Sequence, residues 1–213
     1  MDRSLYIVVE GPVGVGKTTL AKILASRFGG KLVAEPVEEN PFLAPFYADR
    51  AKHAFQAQLF FLLSRYQQQQ ELHQPDLFHQ VTVSDYLFAK DRIFAALNLG
   101  RQEMALYDRV YSLLRPRVAR PDLVVYLQAR LDVLQARIRK RGREYEKAFD
   151  ADYLARIAST YNDYFFHYDE TPLLVINTSD IDLEANEADQ EAIVQLVRRH
   201  RKGVQHYIPR GST

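Results

Sequence analysis

The chain has no cysteine in its 213 residues, which removes disulfides and thiolate metal sites. Its six histidines show no metal-ligand spacing such as HExxH, so a structural zinc is not expected. Charge of one sign is lacking too: 28 Lys and Arg stand against 27 Asp and Glu, a net of +1, which gives no electrostatic footprint for wrapping nucleic acid. Long apolar runs are missing. The run from Leu5 to Val9 is too short for a signal-peptide core and ends in Glu10, and no segment approaches a membrane span. The expected location is therefore cytoplasmic, with neither nucleic acid nor membrane as partner. No Pro/Gly/Ser-rich linker, composition shift or internal repeat divides the chain, so residues 1–213 read as one domain.

What is present alternates between strand and helix. LYIVVE (5–10), KLVAE (31–35), VTVSD (81–85), DLVVYLQA (122–129) and LLVIN (173–177) read as strands. Helical spacing covers 17–28, about 53–73, 87–97, 103–114, 131–140, 152–167 and 187–202. The run QQQQ (67–70) falls inside the long helix and reads as a solvated face. Five strands separated by helices predict an α/β fold: a five-stranded parallel sheet covered on both faces, with its ligand beyond the carboxyl ends of the strands.

The stretch EGPVGVGKTT after the first strand fits G-x-x-x-x-G-K-[ST] without deviation. Gly11, Gly14 and Gly16 let backbone N–H groups converge on phosphate oxygens, with Val15 and Thr19 inside the same turn. Lys17 supplies a point charge, Thr18 offers a hydroxyl to Mg²⁺, and the helix N-terminus adds its partial positive charge. An incidental glycine-rich turn would not need a buried strand before it and a helix after it. The chain is expected to bind a nucleoside triphosphate, which leaves kinase, switch and motor ATPase open. The second strand ends in AEPVEENPF, placing Glu35 next to the phosphate loop if strand order is the usual one, where a carboxylate could accept a proton from an attacking hydroxyl.

The phosphate loop, EPVEENP, FQAQLFFLLSRYQQ, SDYLFAKDRIFA and ARIRKRGREYE together resemble the deoxynucleoside kinases, especially their bacterial deoxyguanosine and deoxyadenosine kinase branch. The resemblance implies a phosphate-loop kinase fold with a short arginine-rich lid at about 137–148. It implies transfer of the ATP γ-phosphate to the 5′-hydroxyl of a purine deoxynucleoside, with Mg²⁺, by a homodimer. It makes Glu35 the catalytic base and Gln58 and Arg65 the residues that hydrogen-bond the nucleobase. Tyr47 and Glu146 would meet the sugar 3′-hydroxyl, and Arg137, Arg141 and Arg143 would grip the donor phosphates. The loop NTSDID (177–182) would cover the donor adenine.

Locally, Arg137 and Arg141 are i, i+4 neighbours on a helix ending at Gly142, and the planar fork of arginine suits phosphate. One departure concerns the third strand. Many relatives end it in an acid-arginine-serine triplet, whereas here it reads Ser84-Asp85-Tyr86. Asp85 remains as an acid for Mg²⁺, and a lid arginine is the expected replacement for the missing one. Aligned through Ile93-Phe94-Ala95, Lys90 falls where many relatives carry an aspartate facing the base. Arg65 and Lys90 would then be donors without an acceptor, a pattern that favours guanine O6 and hence deoxyguanosine over deoxyadenosine.

Overall fold

In the computed structural model, which describes residues 5–72, 78–148 and 150–209, the strands are β1 (Leu5–Glu10), β2 (Lys31–Val33), β3 (Val81–Ser84), β4 (Leu123–Gln128), β5 (Leu173–Asn177) and β6 (Val204–Tyr207). They form one sheet in the order β2-β3-β1-β4-β5-β6, every pair parallel. The helices are α1 (Lys17–Phe28), α2 (Leu43–Ala48), α3 (Arg50–Leu72), α4 (Lys90–Asn98), α5 (Arg101–Leu114), α6 (Leu131–Arg141), α7 (Ala151–Phe166) and α8 (Glu187–Arg199).

The apolar runs of the central strands are explained by burial on both sides. Along β4, Leu123, Val125 and Leu127 enter one apolar cluster with Leu20 and Leu24 of α1, Leu134 of α6 and Val194 of α8. The alternate residues Val124 and Tyr126 enter a second cluster with Ile93 of α4 and Ile157, Tyr161 and Phe165 of α7. Helices therefore cover both faces. A third cluster, with Leu62, Tyr107 and Tyr111 buried, joins α3 to α5.

Three expectations are corrected. The sheet has six strands, because the chain after α8 adds VQHY beside β5, with three of its four residues exposed. β2 does not neighbour the phosphate-loop strand, since β3 lies between them. The glutamine run is not wholly solvated: Gln69 is buried and its amide donates to the Tyr6 hydroxyl at 3.1 Å.

Element boundaries shift for local reasons. α3 starts at Arg50, where the Asp49 side chain accepts from the Lys52 N–H. α4 starts only at Lys90, because the preceding turn is pinned by Glu10, whose carboxylate accepts from Leu87 N–H at 2.7 Å.

Candidate functional site

A cavity of about 930 Å³ opens beyond the carboxyl ends of β1, β2 and β3. Its donor end is the loop between β1 and α1. Gly14 and Gly16 have φ of 84° and 102°, a region costly for other residues, and a Cβ on Gly14 would sit 2.9 Å from the Leu134 carbonyl. Glycine is thus required both by conformation and by close approach to α6. Val15 is buried. Lys17 Nζ donates to the Gly11 and Pro12 carbonyls at 2.8 and 3.1 Å, spanning the loop it would serve. Burial, and then the charge of Lys90, lower its pKa to about 8.

Thr18 Oγ1 donates to Asp85 Oδ2 at 2.6 Å, and Asp85 Oδ1 accepts from Glu35 N–H at 2.8 Å. Asp85 so links the start of α1 to the segment after β2, which explains how Glu35 reaches the site from an edge strand. A hydroxyl beside a carboxylate matches the oxygen ligands Mg²⁺ takes when phosphates complete its shell. Among the described residues there is no cluster of three or more His, Cys, Asp or Glu able to hold a metal alone. The pair fits an ion brought with a nucleotide.

At the acceptor end, Glu35 is held by two cations. Arg65 of α3 donates to its Oε1 and Lys90 of α4 to its Oε2. Burial alone would raise the Glu35 pKa, but Arg65 and Lys90 outweigh it and hold the carboxyl well below its usual range. Arg65 also donates to Asp91, which is fully buried. There burial, with the Glu35 charge adding to it, outweighs Arg65 and Lys90, and Asp91 is pushed up to about 6. Gln58 and Arg65, seven residues apart on α3, are both buried and both line the cavity, as their spacing predicts.

Arg65 and Lys90 spend donors on acids, Arg65 on Glu35 and Asp91 and Lys90 on Glu35, and both line the cavity. The cations bonded to Glu35 are Arg65 and Lys90, while the lid residues Arg141 and Arg143 bond Glu146 and Tyr145. Asp91, the aspartate one position beyond the expected one, was missed; its signal was the adjacent acid in KDRIFA.

Tyr47 on α2 lines the cavity with its ring stacked on Tyr145 at 5.5 Å. The lid residues Arg137 and Arg141 lie on α6, which ends at Gly142 with φ 69°. Arg141 is ion-paired with Glu146, its Nε donating to Oε2 at 3.0 Å, and Arg143 donates to the Tyr145 hydroxyl at 2.9 Å. Glu146 thus serves the lid arginines as well as facing the cavity. Arg137 differs from the other two, because its guanidinium is committed to Thr178 O, Ile181 O and Val15 O at 2.8, 2.9 and 3.3 Å. It ties the phosphate loop to the segment 178–181, next to Asp182 and Leu183, which line the donor end.

The deoxynucleoside kinase family model matches residues 7–202. The chain is 36% identical over 203 residues to the deoxyguanosine kinase of Bacillus subtilis, covering 93% of this chain and 98% of that one. It is 32% identical over 205 residues to the deoxyadenosine/deoxycytidine kinase of the same organism, covering 92% and 93%. A solved structure of deoxyadenosine kinase from M. mycoides, with products dCMP and a flexible dCDP bound, superposes with a TM-score of 0.78 at 26% identity, covering 91% of this chain and 99% of that one. With a family match over nearly its whole length, and with a phosphate loop facing a carboxylate across one cavity, the chain belongs to the deoxynucleoside kinases and is an enzyme of that class.

Proposed function

We propose that the protein transfers the γ-phosphate of ATP to the 5′-hydroxyl of a purine deoxynucleoside, with deoxyguanosine preferred. The observation that carries this reading is the placement of Glu35, bonded through its backbone to Asp85 and facing the same cavity as Lys17 and Gln58.

Lys17 and the loop N–H groups bind the donor phosphates. Thr18 and Asp85 would hold Mg²⁺, which supplies charge neutralisation to the phosphates when bound. Gln58 offers both a donor and an acceptor to a purine edge, and Arg65 fixes the adjacent carboxylates. Tyr47, stacked on Tyr145, and Glu146 take the sugar. Glu35 retains a lone pair on each oxygen beyond those used by Arg65 and Lys90, and so can orient the hydroxyl. A carboxylate held this low is a weak base, so its proton arrives late, as the new P–O bond forms and the bond to ADP breaks. That timing suits a reaction that needs positioning more than covalent help. Arg141 and Arg143 close over the transferring charge.

Deoxyguanosine is placed first because the deoxyguanosine kinase relative is the more identical of the two described, at 36% against 32%. The test is ADP production from ATP and Mg²⁺ with each deoxynucleoside and with dTMP. Turnover should require a deoxynucleoside and have its highest kcat/KM with deoxyguanosine. Hydrolysis indifferent to acceptor would indicate an ATPase, and turnover with dTMP alone a monophosphate kinase. Glu35→Gln should lower kcat by about 10²-fold or more while changing acceptor binding far less.

A further inference from the structure

Neither the donor nor the acceptor chemistry gives a task to Tyr145, which sits in the turn Glu144–Ala148 after α6 and lines the cavity. Its ring is stacked on Tyr47 of α2, with the two planes only 10° apart. At a centroid separation of 5.5 Å such near-parallel rings are offset, an arrangement the ring quadrupoles favour. Tyr47 is braced in turn by Phe46, a buried ring that it meets edge-on at 5.0 Å.

The hydroxyl of Tyr145 belongs to the lid. It accepts from Arg143 Nη1 at 2.9 Å. The next residue, Glu146, is buried, accepts from Arg141 Nε at 3.0 Å and lies 3.9 Å from Arg143 Nη1. Two adjacent residues thus hold both lid arginines, and the ring of one of them also rests on α2. Arg143 reaches Glu38 as well, at 3.8 Å, but that pair is exposed, and a surface ion pair constrains little.

We infer that Tyr145 is a positioning residue that couples the two ends of the cavity, its stack on Tyr47 setting the lid arginines and the sugar-binding groups with one contact. This rests on the kinase reading, in which Arg141 and Arg143 meet the donor phosphates and Tyr47 and Glu146 take the sugar.

The two contacts of Tyr145 differ in kind. The hydrogen bond from Arg143 is exchangeable, because triphosphate oxygens offer a guanidinium stronger, charge-assisted partners than a phenol does. The stack needs no hydrogen bond and stays when Arg143 turns to the donor. The donor end can therefore close while the wall of the sugar site is kept. In the other direction, a nucleoside seated against Tyr47 and Glu146 favours the docked turn, and with it the position of both arginines. Linkage is reciprocal, so each ligand should raise the affinity for the other by the same factor. That factor should depend on the aromatic ring of Tyr145 and not on its hydroxyl.

The test is calorimetric: the Kd of the deoxynucleoside that wild type turns over fastest, with and without a non-hydrolysable ATP analogue and Mg²⁺, in wild type, Tyr145→Phe and Tyr145→Leu. Wild type should bind the nucleoside at least about fivefold more tightly with the analogue present, and Tyr145→Phe should keep that ratio within about twofold. Tyr145→Leu should bring the ratio close to one. A contact that only stabilised the fold would lower the active fraction and leave the ratio where it was. Circular dichroism melts check folding, and should Tyr145→Leu not fold, Tyr145→Met carries the same measurement. A wild-type ratio of one overturns the inference, as does an unchanged ratio in folded Tyr145→Leu. Loss of the ratio in Tyr145→Phe also overturns it, assigning the coupling to the hydroxyl and Arg143. A wild type that turns over no deoxynucleoside overturns the kinase reading itself, and the inference with it.

Discussion

Glu35 and Asp91 share a guanidinium and yet are shifted in opposite directions: Glu35 has Lys90 bonded to its other oxygen, whereas at Asp91 burial and the Glu35 charge outweigh the cations. Lys17 presents the opposite problem, a cation lowered to about 8 by burial and by a neighbouring cation. A triphosphate favours the charged ammonium. Binding should therefore be strongest where Lys17 is protonated in the free protein, below about pH 8, and should weaken as pH rises through that value, by up to about tenfold per unit. Titration of a non-hydrolysable ATP analogue between pH 7.5 and 9.5 measures this. Lys17→Met should bind more weakly and lack that slope; an equal slope in the variant would assign the titration to another group.

At the scale of elements, the lid is a helix end joined to a short turn. Gly142 ends α6 in the left-handed conformation, and a Cβ there would meet nothing within 4 Å, so the glycine serves the turn and not a packing contact. Beyond it, Arg141 and Arg143 are about a third exposed and are held by Glu146 and Tyr145, groups that can release them to a nucleotide. Replacing both arginines by methionine should lower kcat by ~10²-fold, with a smaller effect on acceptor KM, because in the proposed reaction they would meet charge that develops during transfer. Stopped-flow or steady-state kinetics would show it, and unchanged kcat would return the turn to a solvated face. Arg137 should behave differently, since its carbonyl partners join two segments of the donor end. That division was not legible in ARIRKRGRE, where i, i+4 spacing puts Arg137 and Arg141 on one face but cannot show that backbone carbonyls capture one of them. β6 was illegible for a related reason. VQHY is short and largely exposed, so it carries no apolar signal, and only the neighbouring β5 makes it a strand.

Across the whole molecule, the sequence exposed what depends on local patterning and hid what depends on contacts between distant segments. The phosphate loop, the two-faced sheet and the Gln58–Arg65 face of α3 follow from glycine spacing, continuous apolar strands and a seven-residue interval. The pairing of Lys90 with Glu35 joins residues 55 apart in sequence, and nothing near Lys90 announces it. The same limit applies to quaternary structure, where a surface must be read directly. α5 exposes Leu106 and Leu113, 51% and 73% accessible and seven residues apart, hence on one side of the helix. Leu63 of α3, which packs with α5 around Leu62 and Tyr107, is 47% exposed. Large apolar side chains on two packed helices are better accommodated against another protein surface than in water. We therefore expect a homodimer that buries this region. Sedimentation at micromolar concentration should give a dimer, and Leu106→Glu with Leu113→Glu should shift it toward monomer, because two carboxylates would have to lose solvent in the interface. A wild-type monomer at that concentration would reject the dimer. A dimer indifferent to both substitutions would place its interface elsewhere.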